Sequence, residues 1–263
     1  SYPVSVCRRL TETNPKRQGL KTFHTGGYTV IREQRGGQTL QLVFDHGPLG
    51  YLSIAAHGHA DALAGVATLD GEPLFVDPGT YLYHAGGAWR DWFRGTRAHN
   101  TLTLADADQS RIGGRFNWSH KARATFEDVR EGRHWSVTAS HDGYRPTFGQ
   151  IHRRTLSATE RGFAIHDRLD GPGRHPAEIV WQLDPACEAS RDGHQLIIRR
   201  NGRDRLAMRV DPTGELRIAS GGALGAGGGW VSPAFGDKVP APRIAWRGLI
   251  PTGGVTTTID LIA

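Results

Sequence analysis

Alternation of apolar and polar residues runs through most of the chain, in short stretches punctuated by glycine, asparagine and aspartate. Residues 27–32 and 39–45 alternate on either side of a Gly-Gly pair and predict a hairpin. Further strands are predicted at 52–59, 64–69, 73–76 and 100–104, with an Asp70-Gly71 turn between the second and third. The same period returns at 122–129, 135–141, 151–158, 162–169, 177–183, 195–200, 206–210 and 215–219, and the β-branched run 255–262 closes the series. Helical character is confined to a short piece near 89–93. Regular strands with turn residues between them predict an all-β fold of stacked antiparallel sheets, a β-sandwich. No repeat and no linker stands out, so a single domain over 1–263 is expected, with a softer division near 143–150.

Composition narrows this picture. The 263 residues suffice for a substantial core, and 35 glycines fit a fold rich in tight turns. No apolar run reaches the roughly 18 residues of a transmembrane helix. The opening Ser1, Tyr2, Pro3 and Val4 lack the basic start and apolar centre of a signal peptide, and the missing methionine suggests a fragment or a processed chain. Net charge is +6, and only Lys16, Lys21, Lys121 and Lys238 are lysines, so arginine carries the positive charge. Arginine's planar fork suits carboxylates, sulfates and phosphates, although a GC-rich genome gives the same bias. The arginines are scattered and no nucleic-acid-binding spacing is present, so nucleic acid is not an expected partner. The glycine-rich 221–229 segment lacks the Gly-Lys-Ser/Thr ending of a phosphate loop and reads as a connection. Cys7 and Cys187 leave both pairing and compartment open.

The chemistry gathers between Ala56 and Thr101. His57 and His59 stand two apart in the predicted strand 52–59, which would send both rings to one face. Asp77 and His99 add a carboxylate and a third imidazole, and His59, Asp77 and His99 make a common zinc set with one position left open. His57 would then stand beside the metal as a free imidazole able to move protons near neutral pH. The bland alternative holds for each residue alone: a lone strand histidine is usually a satisfied polar group, and Asp77 before Pro78-Gly79 suits a turn carboxylate. Asp61 is expected to orient a histidine from outside the ligand set. Tyr81, Tyr83, Trp89, Arg90, Arg94 and Arg97 form an aromatic and basic cluster of the kind that stacks on sugar rings and holds acidic groups. Trp118, Trp135, Trp181, Trp230 and Trp246 are expected in the core.

The segments G-H-A-D-A-L, V-D-P-G-T-Y, W-R-D-W-F-R and A-H-N-T, followed by D-Q-S, resemble the heparinase II/III-like polysaccharide lyases, most specifically over residues 26–118. Trp181-Gln182-Leu183 and the S-P-A-F-G run from Ser232 to Gly236 are compatible with it. The resemblance implies the antiparallel β part of a protein whose N-terminal α-helical toroid is not in this chain. It implies β-elimination on uronate-containing polysaccharide such as heparin, heparan sulfate or alginate. In it, His57 would be a catalytic histidine, and His59, Asp77 and His99 would hold a structural zinc. Tyr81 or Tyr83 would contribute a second tyrosine, and Trp89, Arg90, Arg94 and Arg97 substrate contacts. The principal tyrosine acid/base and the residue that neutralises the uronate belong to the toroid, so the isolated chain is expected to be nearly inactive. A periplasmic or secreted location is also implied. The competing expectations are a non-catalytic carbohydrate-binding or structural β-sandwich and, more weakly, an autonomous metal hydrolase with His57 or Asp61 as base.

Overall fold

The computed structural model describes residues 18–50, 53–193 and 195–262. Its first five strands, β1 (Gly19–Phe23), β2 (Tyr28–Arg35), β3 (Gln38–Asp45), β4 (Gly65–Leu69) and β5 (Glu72–Phe75), pair in chain order as one antiparallel sheet. In β3 the period of two sends Leu40, Leu42 and Phe44 into the core. The predicted all-β class holds.

A larger sheet follows the pattern of residues 124–210 and the C-terminus. It contains β9 (Ala124–Arg130), β10 (Ser136–His141), β11 (Ile151–Ala158), β12 (Gly162–Asp170), β14 (Cys187–Asp192), β15 (Gln195–Arg200), β16 (Arg203–Val210) and β20 (Val255–Leu261). Their spatial order is β14-β15-β16-β20-β12-β11-β10-β9, and every pairing is antiparallel. A third sheet joins β6 (Leu102–Leu104), β13 (Pro176–Gln182), β17 (Glu215–Ser220), β18 (Gly229–Ala234) and β19 (Asp237–Leu249), with one parallel contact between β17 and β18. A separate hairpin pairs β7 (Arg111–Gly114) with β8 (Asn117–His120). Leu42 and Phe44, Leu156 and Ile165, and Trp181 and Trp246 come from the three sheets and meet in one apolar cluster. Burial of that shared surface is what holds the sheets face to face.

Residues 88–94 form the short helix α1 (Ala88–Arg94), which turns Arg90, Phe93 and Arg94 inward. A single 3₁₀ turn, Thr96–Ala98, then delivers His99. A second short helix, α2 (Arg145–Phe148), links β10 to β11.

Two sequence expectations change. The predicted strand 52–59 begins at a residue outside the described ones, and residues 53–60 are turns and irregular chain. Ala55 takes a φ of 50°, Gly58 N–H bonds back to the Ala55 carbonyl at 3.0 Å, and a Cβ on Gly58 would meet Gly50 Cα at 3.0 Å. The chain folds on itself here, which a run of small residues permits and a strand would not. Of the five tryptophans expected in the core, Trp135, Trp181 and Trp246 are there, whereas Trp118 and Trp230 are only half-buried. Cys187 is buried on β14, and its relation to Cys7 lies outside the described residues. No helix among the described residues is long and apolar enough to cross a membrane.

Candidate active site

Three chain segments converge where β3 and β5 end and β4 begins. The first is the 55–64 loop between β3 and β4. Its backbone is tied down by Ala60 N–H to the Arg94 carbonyl at 2.8 Å and Leu63 N–H to the Asp45 carbonyl at 2.8 Å. The second, 76–83, turns at Asp77, whose Oδ1 accepts the Gly79 N–H at 2.8 Å. Gly79 has a φ of 81° and a Cβ there would lie 2.7 Å from the Ser232 carbonyl, so this turn requires glycine. The third carries His99 out of the 3₁₀ turn.

Behind them lies a polar layer that hydrogen-bonds to their backbones. Asn100 Nδ2 donates to the Gly65 and Val76 carbonyls, both at 3.0 Å, and its Oδ1 accepts the Gln182 N–H at 2.5 Å. Gln109 Nε2 donates to the Ala60 and Ala62 carbonyls at 2.8 and 3.2 Å, and Thr101 Oγ1 reaches Ala62 at 3.0 Å. Arg154 extends from β11 to the Leu63 and Asn100 carbonyls at 2.9 and 2.5 Å while pairing with Asp167 at 2.7 and 3.0 Å. The loop carbonyls are thus satisfied from the sheet side. Asn100 and Gln109 sit inside the A-H-N-T and D-Q-S motifs, but nothing in their spacing reveals this role.

In front of that layer, His59, Asp61 and His99 offer ligand atoms within 4.8 Å of one another. The His59 and His99 rings are 5.2 Å apart. Asp77 approaches from the other side, its Oδ2 2.7 Å from His99 Nδ1. His99 is fully buried, and its Nε2 has no hydrogen-bond partner among the described residues. Two imidazoles, two carboxylates and an orphaned buried ring nitrogen fit a zinc-type donor set. The geometry adds Asp61 to the expected group and puts Asp77 on the nitrogen of His99 where a carboxylate would fix the ring. Burial and the neighbouring His99 push His59 down to about 3, so it stands neutral and able to ligate. Burial would lower His99 as well, but Asp77 outweighs it and lifts the ring to about 9. Burial raises Asp61 to about 7 against the pull of His99.

His57, two residues before His59 on the same loop, is exposed, with no side-chain hydrogen bond among the described residues. Its ring packs edge-on to Tyr83 at 5.1 Å and meets Phe116 at 6.1 Å. Tyr81 goes elsewhere: with a φ of 63°, it turns its ring onto Phe93 at 5.4 Å. Of the expected tyrosines, Tyr83 is therefore the one beside His57.

The basic cluster is more inward than its sequence suggests. Arg94 is fully buried, donates to the Arg115, Gly114 and Asn117 carbonyls, and stacks on Trp118 at 4.6 Å. Arg97 pairs with Asp106 and Glu178, both at 3.2 Å. Arg90 is 2% exposed and lies over the Tyr83 ring at 5.1 Å, with none of its three guanidinium nitrogens hydrogen-bonded. Trp89 is half-buried and, with Trp230 and Tyr81, surrounds the Lys238 ammonium at 4.2, 3.7 and 5.8 Å. A separate cavity of about 1050 Å³ opens between His24, His46, His120, Lys121 and Phe126, and none of His57, His59, Asp77 and His99 lines it.

Residues 15–252 match the model of the heparinase II/III-like C-terminal family. The chain belongs to that family. It is 21% identical over 266 residues to a heparin-sulfate lyase of Bacteroides stercoris, an alignment covering 94% of this chain and 35% of that protein. Heparan sulfate lyase HepC of Pedobacter heparinus superposes with a TM-score of 0.73 at 19% identity, over 95% of this chain and 37% of that one. The heparinase III BT4657 gene product superposes equally, with a TM-score of 0.73 at 19% identity, over 95% and 37%. At these identities the superpositions establish the fold. The chain spans little more than a third of the length of each relative. Fold and family agree with the heparinase-like reading of the motifs.

Proposed function

We propose that this domain is the β-sheet part of a lyase that cleaves uronate-containing polysaccharide by β-elimination. The observation that carries the reading is His57, an exposed and unpaired imidazole packed on Tyr83, two residues before His59 of the His/carboxylate cluster built around the buried His99. A sugar-binding module has no use for a free imidazole built onto such a support. Family membership, and relatives named as heparin- and heparan-sulfate lyases, support the same reading.

In this mechanism the proton on C5, α to the uronate carboxylate, passes to the imidazole of His57. The C5–H electron pair becomes the C4=C5 double bond, the C4–oxygen bond breaks, and the departing oxygen takes a proton from a tyrosine. The principal such tyrosine, and the side chain that neutralises the uronate, belong in this reading to an N-terminal α-helical toroid of the parent protein. Tyr83 is the tyrosine of this domain beside His57. His59 and His99, with Asp61 or Asp77, would hold a zinc ion that supplies a fixed divalent charge to lock the loop. His57 then reacts from a position set by its neighbours. A periplasmic or secreted location goes with a polymeric substrate.

Heparan sulfate, heparin and alginate are to be incubated with the protein that carries this domain, recording ultraviolet absorbance alongside new reducing ends. The two should rise together, because elimination leaves a double bond conjugated to the carboxylate. Reducing ends without absorbance would make the protein a hydrolase. Binding without either would move the non-catalytic carbohydrate-binding module ahead.

A further inference from the structure

The most exposed of the large apolar side chains among the described residues is Phe235, at 64%. It sits at the tip of the β18–β19 hairpin, in the turn between Ala234 and Asp237, where Gly236 takes a φ of 91°. That tip is tied to the loop bearing Asp77 and Tyr83. Gly236 N–H donates to the Tyr81 carbonyl at 2.9 Å, Ser232 N–H to the Pro78 carbonyl at 2.8 Å, and Tyr81 N–H to Ser232 Oγ at 3.1 Å. The Phe235 ring is thereby placed 5.4 Å from Tyr83, at 38° to it, on the ring that also packs on His57.

An exposed phenylalanine is often of no consequence. Here the hairpin is anchored to the candidate catalytic loop, and the ring stays in water beside the reacting groups. Its surroundings are mixed: Tyr83 packs on Phe116 at 6.0 Å and lies under the Arg90 guanidinium, while the neighbouring His57 and His84 rings are exposed. A docking protein would want a continuous apolar patch at this place. A pyranose ring offers instead a C–H face for the aromatic ring and a carboxylate or sulfate for nearby cations.

We propose that Phe235 forms a sugar-binding subsite, stacking on the apolar face of a pyranose unit of an acidic polysaccharide next to the unit that reacts at His57. The inference rests on the lyase reading for the location of the reacting unit. The aromatic ring contributes affinity and register, and Tyr83 carries the contact through to the reacting pair.

The test compares Phe235→Ala, Phe235→Tyr and Phe235→Trp in the whole parent protein, with heparan sulfate and alginate oligosaccharides as probes. Phe235→Ala should raise KM about five- to tenfold with a smaller change in kcat, leave the thermal midpoint in place, and be rescued by Tyr or Trp. Calorimetric titration in a His57→Ala background should show the same loss of affinity. Unchanged KM and affinity for every probe would overturn the subsite. So would a fall in thermal midpoint with no change in oligosaccharide affinity, which would make the ring a contact between protein domains. If His57→Ala leaves turnover intact, the assignment of the proton transfer to His57 fails by itself, and the titration still decides whether Phe235 binds sugar.

Discussion

Asn100 does more for the site than its place behind His99 suggests. One amide closes on the carbonyls of Gly65 and Val76 and on the N–H of Gln182, so it fastens three segments at one point. Asn100→Leu would strand two carbonyls and a donor, and should cost about 2–4 kcal/mol in denaturant unfolding. A loss under about 1 kcal/mol would show that water replaces the side chain freely. Sequence spacing pointed to His57, His59, Asp77 and His99 because residue types carry chemistry. It could not show that Asp61 joins the histidines or that Tyr83, not Tyr81, meets His57. Those outcomes depend on the folded loop and on the positive φ of Tyr81, which have no period to read.

Among the elements, β10, β11 and β12 support the site from beneath through a chain of buried polar groups. Gly143 N–H donates to His141 Nδ1 at 3.1 Å, the two imidazoles meet at 3.2 Å, and His152 Nε2 meets Asp167 Oδ1 at 2.6 Å. One tautomer chain satisfies every contact, with each ring donating from Nε2. Burial pushes both His141 and His152 below the usual imidazole range. Burial alone would raise Asp167, but Arg154 and His152 outweigh it and hold it at about 2. Both kinds of depressed group favour the folded state at higher pH. Stability should therefore fall in two ranges: below about pH 6.5, as unfolded histidines take protons the fold refuses, and below about pH 4, towards 2, as Asp167 is protonated. Urea unfolding across pH should show both slopes, and Asp167→Asn should flatten the lower one at a reduced overall stability. An unchanged lower slope would remove Asp167 from the account. Gly79→Ala should cost more than about 1 kcal/mol in the same assay, because its Cβ would push the Ser232 hairpin away. Strands with clean alternation were legible, whereas β19 was not. Pro240 and Pro242 argue against a strand there, yet the missing N–H groups are tolerated in the 13-residue ladder of β19.

For the whole molecule, the stacked antiparallel sheets were legible because turn residues and period-two runs recur along the chain. Which sheet each strand joins depends on pairings far apart in sequence, such as β12 with β20. The candidate metal site is assembled by that fold. Elemental mass spectrometry should find about one zinc per chain, lost in His59→Ala and His99→Ala. Comparing Asp61→Asn with Asp77→Asn then separates ligand from support, since a supporting carboxylate costs about 10–100-fold in metal affinity. Protein prepared without chelator and free of stoichiometric metal would remove the zinc assignment.

The central claim is that His57 moves the proton in an elimination reaction. Its most direct measurement is the rate of ultraviolet-absorbing product formation by the parent protein, wild type against His57→Ala, at saturating substrate. A fall in kcat of about 10²–10⁴-fold with the fold intact is the predicted result. A variant within about twofold of wild type would contradict it, and would leave His57 a bystander beside someone else's chemistry.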